Sequence, residues 1–442
     1  MRVNYLKGVL LTLTLGIPHA ALAETGIEDI RAELTALRND YEQRIADLEQ
    51  RLAVAEQNAR QASASSQSSG SMPRNTGAEF NPAIGVIFSG SAWNYSGNPE
   101  NLAVQGFPFG GEAGPITEGL ALGETELILS SNVDDKFAAM LTAALAVEDG
   151  EAVVEIEEAW VEATALPAGF GAKFGRFFSG IGYLNNKHAH SWDFADQPLP
   201  YQAFLANQLR DDGIQARWLA PTDTFIEIGA ELLRGGAYPS AGADNNGFGS
   251  YSLFANVGAD AGTDSSWLAG VSLLDASPIN RASGDEDDPF LFSGDSTLMT
   301  AQFVWKWAKD GNWKDRNLIL QAEYMRREES GIYEGAGLSP QVYDNDQTGW
   351  YAQAIFQPVS RWRIGARFDA LSSDNPGDAF AGTALAAPLS DPRRITIMGD
   401  WANSEFSRLR LQFTRDESGL EDDNQLGLQY FHSIGAHGAH TF

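Results

Sequence analysis

The feature that most constrains the fold is an alternation of apolar with polar or small residues between Phe80 and Phe442, in stretches of about 10 residues. In "LALGETELILS", for example, leucines alternate with glutamates and small residues. We count sixteen such stretches, beginning near Ala83, Leu120, Phe137, Val153, Ala172, Gly213, Phe225, Ser250, Ser266, Ser296, Arg316, Thr348, Arg361, Arg393, Glu405 and Gln425. An even number of strands with period two predicts an all-β transmembrane barrel of antiparallel strands over residues 80–442.

The connections between the stretches give an independent test of the barrel. Periplasmic turns of bacterial barrels are short, and external loops are longer. Links after even-numbered stretches are short, such as "NVDDK", "APTD" and "QPVS", whereas links after odd-numbered stretches include 94–118, 177–210, 275–295 and 372–391. Only "EDGE" at 148–151 is short where a long loop is expected. The connections therefore predict which end of the barrel faces the periplasm.

The aromatic residues favour a membrane barrel over the soluble alternatives, a β-sandwich or a β-rich extracellular enzyme. Nine of the 11 Trp residues lie in or beside predicted strands, as aromatic girdles require. The chain ends on Phe442. This terminal aromatic resembles the signal that the barrel assembly machinery of the outer membrane binds.

The first 79 residues carry different patterns. Residues 1–23 have a basic start, a short apolar run and a small-residue end, as in a secretory signal peptide. Residues 24–60 repeat apolar positions every three or four residues, which predicts a periplasmic α-helical coiled coil, with a lone amphipathic helix as the alternative. Residues 61–79 form a polar linker rich in serine and glycine. The coiled coil could attach the barrel to peptidoglycan.

Two further classes of protein are disfavoured, nucleic-acid-binding proteins and enzymes. A net charge of −29 argues against nucleic acid as a partner. Ser191 lies beside His190, but adjacent residues do not form a nucleophile and base pair, and no third partner is evident. We therefore expect that the protein is not an enzyme.

The segment "GRFFSGIGYLN" and the later "DDGIQARW" resemble the phosphate-selective porin O and P family, which implies a homotrimeric outer-membrane porin with sixteen strands. "HAHSWDF" and the C-terminal "GAHGAH" resemble a branch of zinc-regulated outer-membrane proteins.

The loop 177–210 is the longest predicted external connection, and it is rich in aromatic residues. We expect it to fold into the barrel and constrict the pore, whereas a position over the rim or at a trimer contact is the alternative. The constriction residues that we predict are Arg176, Lys187, His188, His190, Trp192, Asp193, Asp196 and Arg210.

Charged residues on the polar strand faces fall into two arcs. The acidic arc includes Glu124, Glu126, Glu155 and Glu157, and the basic arc includes Arg363, Arg367, Arg394, Arg408 and Arg410, with Arg217 as the exception. Separate arcs predict a transverse field across the pore, unless these charges neutralise one another. Because the loop carries few basic residues, we expect no phosphate selectivity. Acidic external loops such as "GDEDD" should attract cations, so we expect weak cation preference.

Metal binding is a less direct prediction. His188 and His190 have a spacing that suits zinc, and His437 is a weaker candidate. Acidic external loops such as "GDEDD" could bind Ca²⁺ that bridges lipopolysaccharide of the surrounding outer-membrane lipid. No resident cofactor is required. The sequence thus predicts a passive diffusion porin, with a zinc or divalent-metal uptake channel and a structural tether to the cell wall as alternatives.

Overall fold

The computed structural model describes residues 82–99, 103–111, 113–148, 151–240 and 247–435. The signal peptide, coiled coil, linker, His437 and Phe442 lie outside these residues, so the expectations for them stay predictions. The strands are β1 Ala83–Tyr95, β2 Gly119–Leu122, β3 Thr125–Asn132, β4 Phe137–Glu148, β5 Glu151–Ala163, β6 Phe170–Phe178, β7 Arg210–Leu219, β8 Phe225–Leu233, β9 Ser250–Asp260, β10 Ser265–Ala276, β11 Arg281–Ser283, β12 Phe290–Ala308, β13 Asn317–Gly335, β14 Leu338–Val359, β15 Trp362–Ser373, β16 Arg393–Ser404, β17 Ser407–Glu417 and β18 Asp423–Gly435.

The strands form one closed antiparallel sheet. β1 pairs with β18 on one side and with β2 and β3 on the other, which closes the barrel. β2 and β3 are two segments of one barrel strand, whereas β11 is a short addition that pairs with β12, since β10 already pairs with β12 directly. The barrel therefore has sixteen strands, and the predicted fold is confirmed.

The two faces of each strand differ in polarity. In β9, Tyr251 and Leu253 are exposed on the outside, while the alternate residues Ser250 and Ser252 are buried on the inside. Other strands repeat this pattern, with exposed Leu, Ile, Val and Phe outside and buried Glu, Gln, Arg, Ser and Thr inside. An apolar exterior around a polar interior is what a β-barrel needs in lipid.

Three strands extend farther than the alternation predicts. β12, β13 and β14 have 19, 19 and 22 residues, well above the 9–11 residues of an ordinary membrane-spanning strand. A tight turn at Ala336 and Gly337, both with positive φ, joins β13 to β14 where a longer loop would be expected. β12 and β14 therefore begin before the starts that we predict near Ser296 and Thr348, because both strands are longer than a membrane-spanning strand needs to be.

The tryptophans divide between the two faces. Trp350, Trp362 and Trp401 are exposed on the outer surface, as a girdle requires. Trp93 instead is buried beside Tyr95 and Ala195 on the inner side, so it contributes to interior packing.

Among the described residues, short helical segments occur only in the connections between strands. They are helix α1 Leu199–Leu205 and 3₁₀ turns at Pro167–Gly169, Ala189–Ser191, Lys309–Gly311 and Asp378–Phe380. None of the helices among the described residues is long and apolar enough to cross a membrane.

Candidate functional site

The connection between β6 and β7, residues 179–209, is buried against the inner faces of the strands. We call it the inner loop. Its apolar side chains pack with inward residues of β10, β13, β14 and β15 in one hydrophobic cluster. The residues that the loop adds to this cluster are Ile181, Tyr183, Leu184, Phe194, Leu199, Tyr201, Ala203, Phe204, Leu205 and Leu209. The loop therefore fills much of the barrel interior.

Local sequence explains the shape of the inner loop. Pro198 caps α1 and Pro200 lies in its first turn, where a missing N–H costs little. Ala206, with φ of 48°, ends the helix in the left-handed conformation. Gly182 has φ of 66°, and a Cβ there would meet the Tyr201 hydroxyl, so this position requires glycine.

Two buried glutamates hold the first part of the inner loop. Glu323 on β13 accepts hydrogen bonds from the Tyr201 hydroxyl at 2.9 Å and from the Tyr183 backbone N–H at 2.9 Å. Glu231 on β8 accepts bonds from the Ser179 hydroxyl at 2.5 Å and the Gly180 N–H at 2.8 Å. Each carboxylate replaces the water that a loop N–H would otherwise contact.

Asp196 fixes the middle of the inner loop. Its carboxylate accepts hydrogen bonds from Arg367 at 2.9 Å, Arg394 at 3.0 Å and Gln412 at 2.8 Å. Burial raises the pKa of Asp196, but the charges of Arg367 and Arg394 outweigh burial and hold this pKa below its usual range.

Three more arginines of the basic arc also bind the inner loop. Arg363 pairs with Asp193 at 2.8 Å, Arg408 donates to the His190 carbonyl at 2.6 Å, and Arg410 donates to the Trp192 carbonyl at 2.7 Å.

The strands that carry the basic arc also carry acidic partners. Asp400 pairs with Arg363 and Arg410, Asp369 pairs with Arg367, and Asp416 pairs with Arg394. The basic arc is thus neutralised by neighbouring aspartates and by the inner loop. It does not face open water as the predicted transverse field would need.

The two loop histidines contact the acidic arc on the opposite side. His188 Nε2 lies 2.8 Å from Glu158 Oε2, and His188 Nδ1 lies 3.4 Å from Glu157 Oε2 and 3.5 Å from Glu126 Oε2. His190 Nδ1 lies 2.7 Å from Glu126 Oε1. Burial lowers the pKa of His188, but its contacts with Glu157 and Glu158 and the Glu126 charge raise that pKa well above its ordinary value.

Two cavities lie on opposite sides of the inner loop. A cavity of about 990 Å³ reaches the end of the barrel with short turns, and its lining includes Glu158, His188 and His190. A cavity of about 430 Å³ reaches the end with long loops, and its lining includes Glu155 and Arg210. Arg210 forms ion pairs with Glu155 and with Glu157, at 3.7 Å for the latter. These side chains separate the two cavities along β5.

The remaining predicted residues are spread along the interior. Arg176 pairs with Asp212 at 2.9 Å, and both side chains are partly exposed. Arg217 pairs with Glu162. Glu124 lies half-buried in the break between β2 and β3.

Lys187 lies over the Tyr183 ring, 4.3 Å from its centroid. Burial, together with the charge of Lys306, lowers the pKa of Lys187 to about 8. The Trp192 indole N–H donates to the Lys187 carbonyl at 2.6 Å. Both residues therefore pack within the inner loop.

Sequence analysis missed the importance of Glu158. The pairing of β4 with β5 shifts at this point, since Thr142 pairs with Glu158 and Ala143 pairs with Ile156. Glu157 is the extra residue of a β-bulge, which turns both Glu157 and Glu158 inward. The signal was two adjacent glutamates in "VEIEEAW", an interruption of strict alternation.

Comparison with solved structures identifies the fold. A loop L8 deletion mutant of OmpT, an outer-membrane protein of Vibrio cholerae, aligns with a TM-score of 0.50 and 10% identity, over 80% of this chain and 99% of that chain. OmpF of Salmonella typhi, in complex with daunomycin, also aligns with a TM-score of 0.50 and 10% identity, over 80% and 97%. At this low sequence identity, the two likenesses show a shared barrel fold.

Sequence comparison gives the family. No protein-family profile matches the chain. An uncharacterized protein of Aquifex aeolicus (strain VF5) is 31% identical over 354 residues, which cover 75% of this chain and 72% of that protein. The chain therefore belongs to the same family as the uncharacterized Aquifex protein, and its barrel shares the fold of the outer-membrane protein OmpT and of OmpF.

Proposed function

We propose that the protein is an outer-membrane porin that allows passive diffusion of small polar or ionic solutes, and that the inner loop constricts its channel. The observation that carries this proposal is the pair of cavities on either side of the loop, one open to each end of the barrel. A solute would pass between them along β5, because the opposite half of the interior is filled by the packed part of the loop.

The narrowest point would then lie at Arg210, Glu155 and Glu157. Acidic groups outnumber basic groups here, since Glu126 and Glu158 lie immediately beyond this point. Excess negative charge in a narrow passage attracts cations, so we propose weak cation preference. The arginines that could bind phosphate are instead paired with aspartates of the strands and the loop, which argues against phosphate selectivity.

The assembly and location follow from the same proposal. The resemblance to the porin O and P family supports a homotrimer, although phosphate selectivity does not follow from that resemblance here. We propose that the barrel lies in the bacterial outer membrane, that residues 24–60 extend into the periplasm, and that the short turns face the periplasm. The apolar exterior supports the first point, because such a surface requires lipid contact.

Planar-bilayer recording of the purified full-length protein tests this function. The proposal predicts stepwise currents and a reversal potential in a KCl gradient that is displaced toward K⁺ selectivity. Glu155→Gln should reduce this displacement, whereas Glu328→Gln, on an exposed part of β13, should not. Protein that is folded and inserted but carries no current would contradict the proposal.

A further inference from the structure

The contact between the inner loop and β5 brings together side chains that could bind a metal ion. The bulge in β5 places Glu157 and Glu158 side by side on the inner face, where they meet His188. Glu157 is only 2% exposed, and its Oε1 atom lies 3.7 Å from Arg210. Its Oε2 atom points to His188 and has no hydrogen-bond partner among the described residues. A carboxylate oxygen buried in this way requires a proton donor or a cation.

The ring nitrogens of His188 also require a proton or a cation between the ring and the carboxylates. Both of its ring nitrogens face carboxylate oxygens, with Nε2 at 2.8 Å from Glu158 and Nδ1 at 3.4 Å from Glu157. A neutral imidazole has one N–H and can donate to only one side, so the other side needs either a second proton on the ring or a cation that takes its place. Nδ1 also has no hydrogen-bond partner among the described residues. If Nε2 donates to Glu158, then Nδ1 presents a lone pair to the carboxylates, and a cation between them would satisfy all three groups.

The spacing of the three groups fits a small metal ion. His188 Nδ1 lies 3.4 Å from Glu157 Oε2 and 3.5 Å from Glu126 Oε2, and one ligand atom from each residue lies within 4.8 Å of the others. Zinc bonds of about 2.0–2.2 Å in a tetrahedral site place neighbouring ligand atoms about 3.4 Å apart. One imidazole nitrogen with carboxylate oxygens favours zinc or a similar transition metal over Ca²⁺, which takes six or more oxygens.

We propose that Glu126, Glu157 and His188 bind one divalent transition-metal ion, zinc by preference, which fastens the inner loop to β3 and β5. His190 contacts the other oxygen of Glu126 at 2.7 Å and would orient that carboxylate. His188 and Glu158 line the larger cavity, so the ion and a fourth ligand, a water molecule, would reach the site from the end with short turns. The site would therefore lie beside the proposed passage. His188 is a ligand in this arrangement, whereas His190 is a positioning residue.

Isothermal titration of the metal-stripped full-length protein with ZnCl₂ tests the site without reference to transport. The wild type should bind one more zinc ion per chain than Glu157→Gln, which keeps the side-chain volume. His188→Ala should abolish the same binding step, and His190→Gln should weaken it about 10- to 100-fold. Glu155→Gln is the matched control, since it changes the same face of β5 and leaves the three ligands intact.

The absorption spectrum of bound Co²⁺ gives a second readout of the same site. Co²⁺ in place of Zn²⁺ should give the visible absorption of a tetrahedral site in the wild type and in Glu155→Gln, but not in Glu157→Gln. Equal zinc stoichiometry in wild type and Glu157→Gln, with both barrels folded by gel mobility, would overturn the proposal and assign bound zinc to acidic surface loops. The proposed metal site depends on the proposed function in one respect only, the statement that the site lies beside a solute passage. Zinc binding without ionic current would contradict the porin proposal alone, whereas current without zinc binding would contradict the metal site alone.

Discussion

Asp196→Ala should weaken the attachment of the inner loop to the barrel interior, so that the released loop becomes more populated. The Asp196 carboxylate is bonded to Arg367, Arg394 and Gln412, and all four side chains are buried or nearly so. Removing one partner of a buried ion pair costs about 3–5 kcal/mol, because the other charges lose their compensation. We expect the lower end, about 3 kcal/mol, since Asp369 and Asp416 still neutralise the two arginines.

This magnitude converts directly into an observable ratio. A loss of about 3 kcal/mol raises the ratio of released to docked loop about 100-fold. Single-channel records should therefore show a high-conductance state that is at least about 100 times more populated than in wild type. Trypsin should also cleave after Lys187, which packs over the Tyr183 ring in the docked loop.

The control for Asp196→Ala is Asp212→Asn, which removes an aspartate from a partly exposed pair with Arg176. Exposed pairs contribute about 0–1 kcal/mol, so this variant should behave like wild type. Equal occupancy of the high-conductance state in the two variants would refute the idea that the buried aspartate holds the loop.

Three further predictions test separate contacts. Because its folded-state pKa is depressed, Asp196 should stabilise the docked loop above its ordinary pKa of about 3.9 and lose this effect as the pH falls below that value; acid should then raise wild-type conductance, with no such step in Asp196→Ala. Glu323→Gln should lower barrel stability by about 1–3 kcal/mol, because its amide would face the Tyr183 N–H, and unchanged thermal unfolding would count against this hydrogen bond. Leu253→Arg, on the outer face of β9, should destabilise the membrane barrel by about 2–4 kcal/mol, whereas Phe248→Arg in the loop before β9 should have little effect; equal folding yields in lipid vesicles would argue against the assigned outer face.

Strand positions were predictable because the barrel imposes one rule on every strand. A residue that faces lipid must be apolar, and its neighbour faces a polar interior, so β1, β4 and β9 could be located from alternation alone. The same rule gave late starts for β12 and β14, since nothing in the alternation marks where the membrane ends.

The partners of the inner loop were harder to predict. The extra residue at Glu157 changes which side chains face inward, and sequence alternation cannot show this without the strand pairing. Arg367 and Asp369 lie two residues apart on one strand face, so their mutual neutralisation was visible in principle. The bond between Arg367 and Asp196 joins residues far apart in the chain, and only the folded loop brings them together.

The most direct test of the account is the single-channel current of the full-length protein compared with a variant that lacks residues 185–204. Deletion of 285–288, an exposed part of the connection between β11 and β12, is the control. The account predicts that removing the inner loop raises the current about twofold or more, since a sixteen-stranded barrel without a constriction leaves a wide aqueous channel, and that the control deletion leaves the current unchanged. An unchanged current after deletion of 185–204, in a barrel that still folds and inserts, would contradict the claim that the inner loop sets the width of the channel.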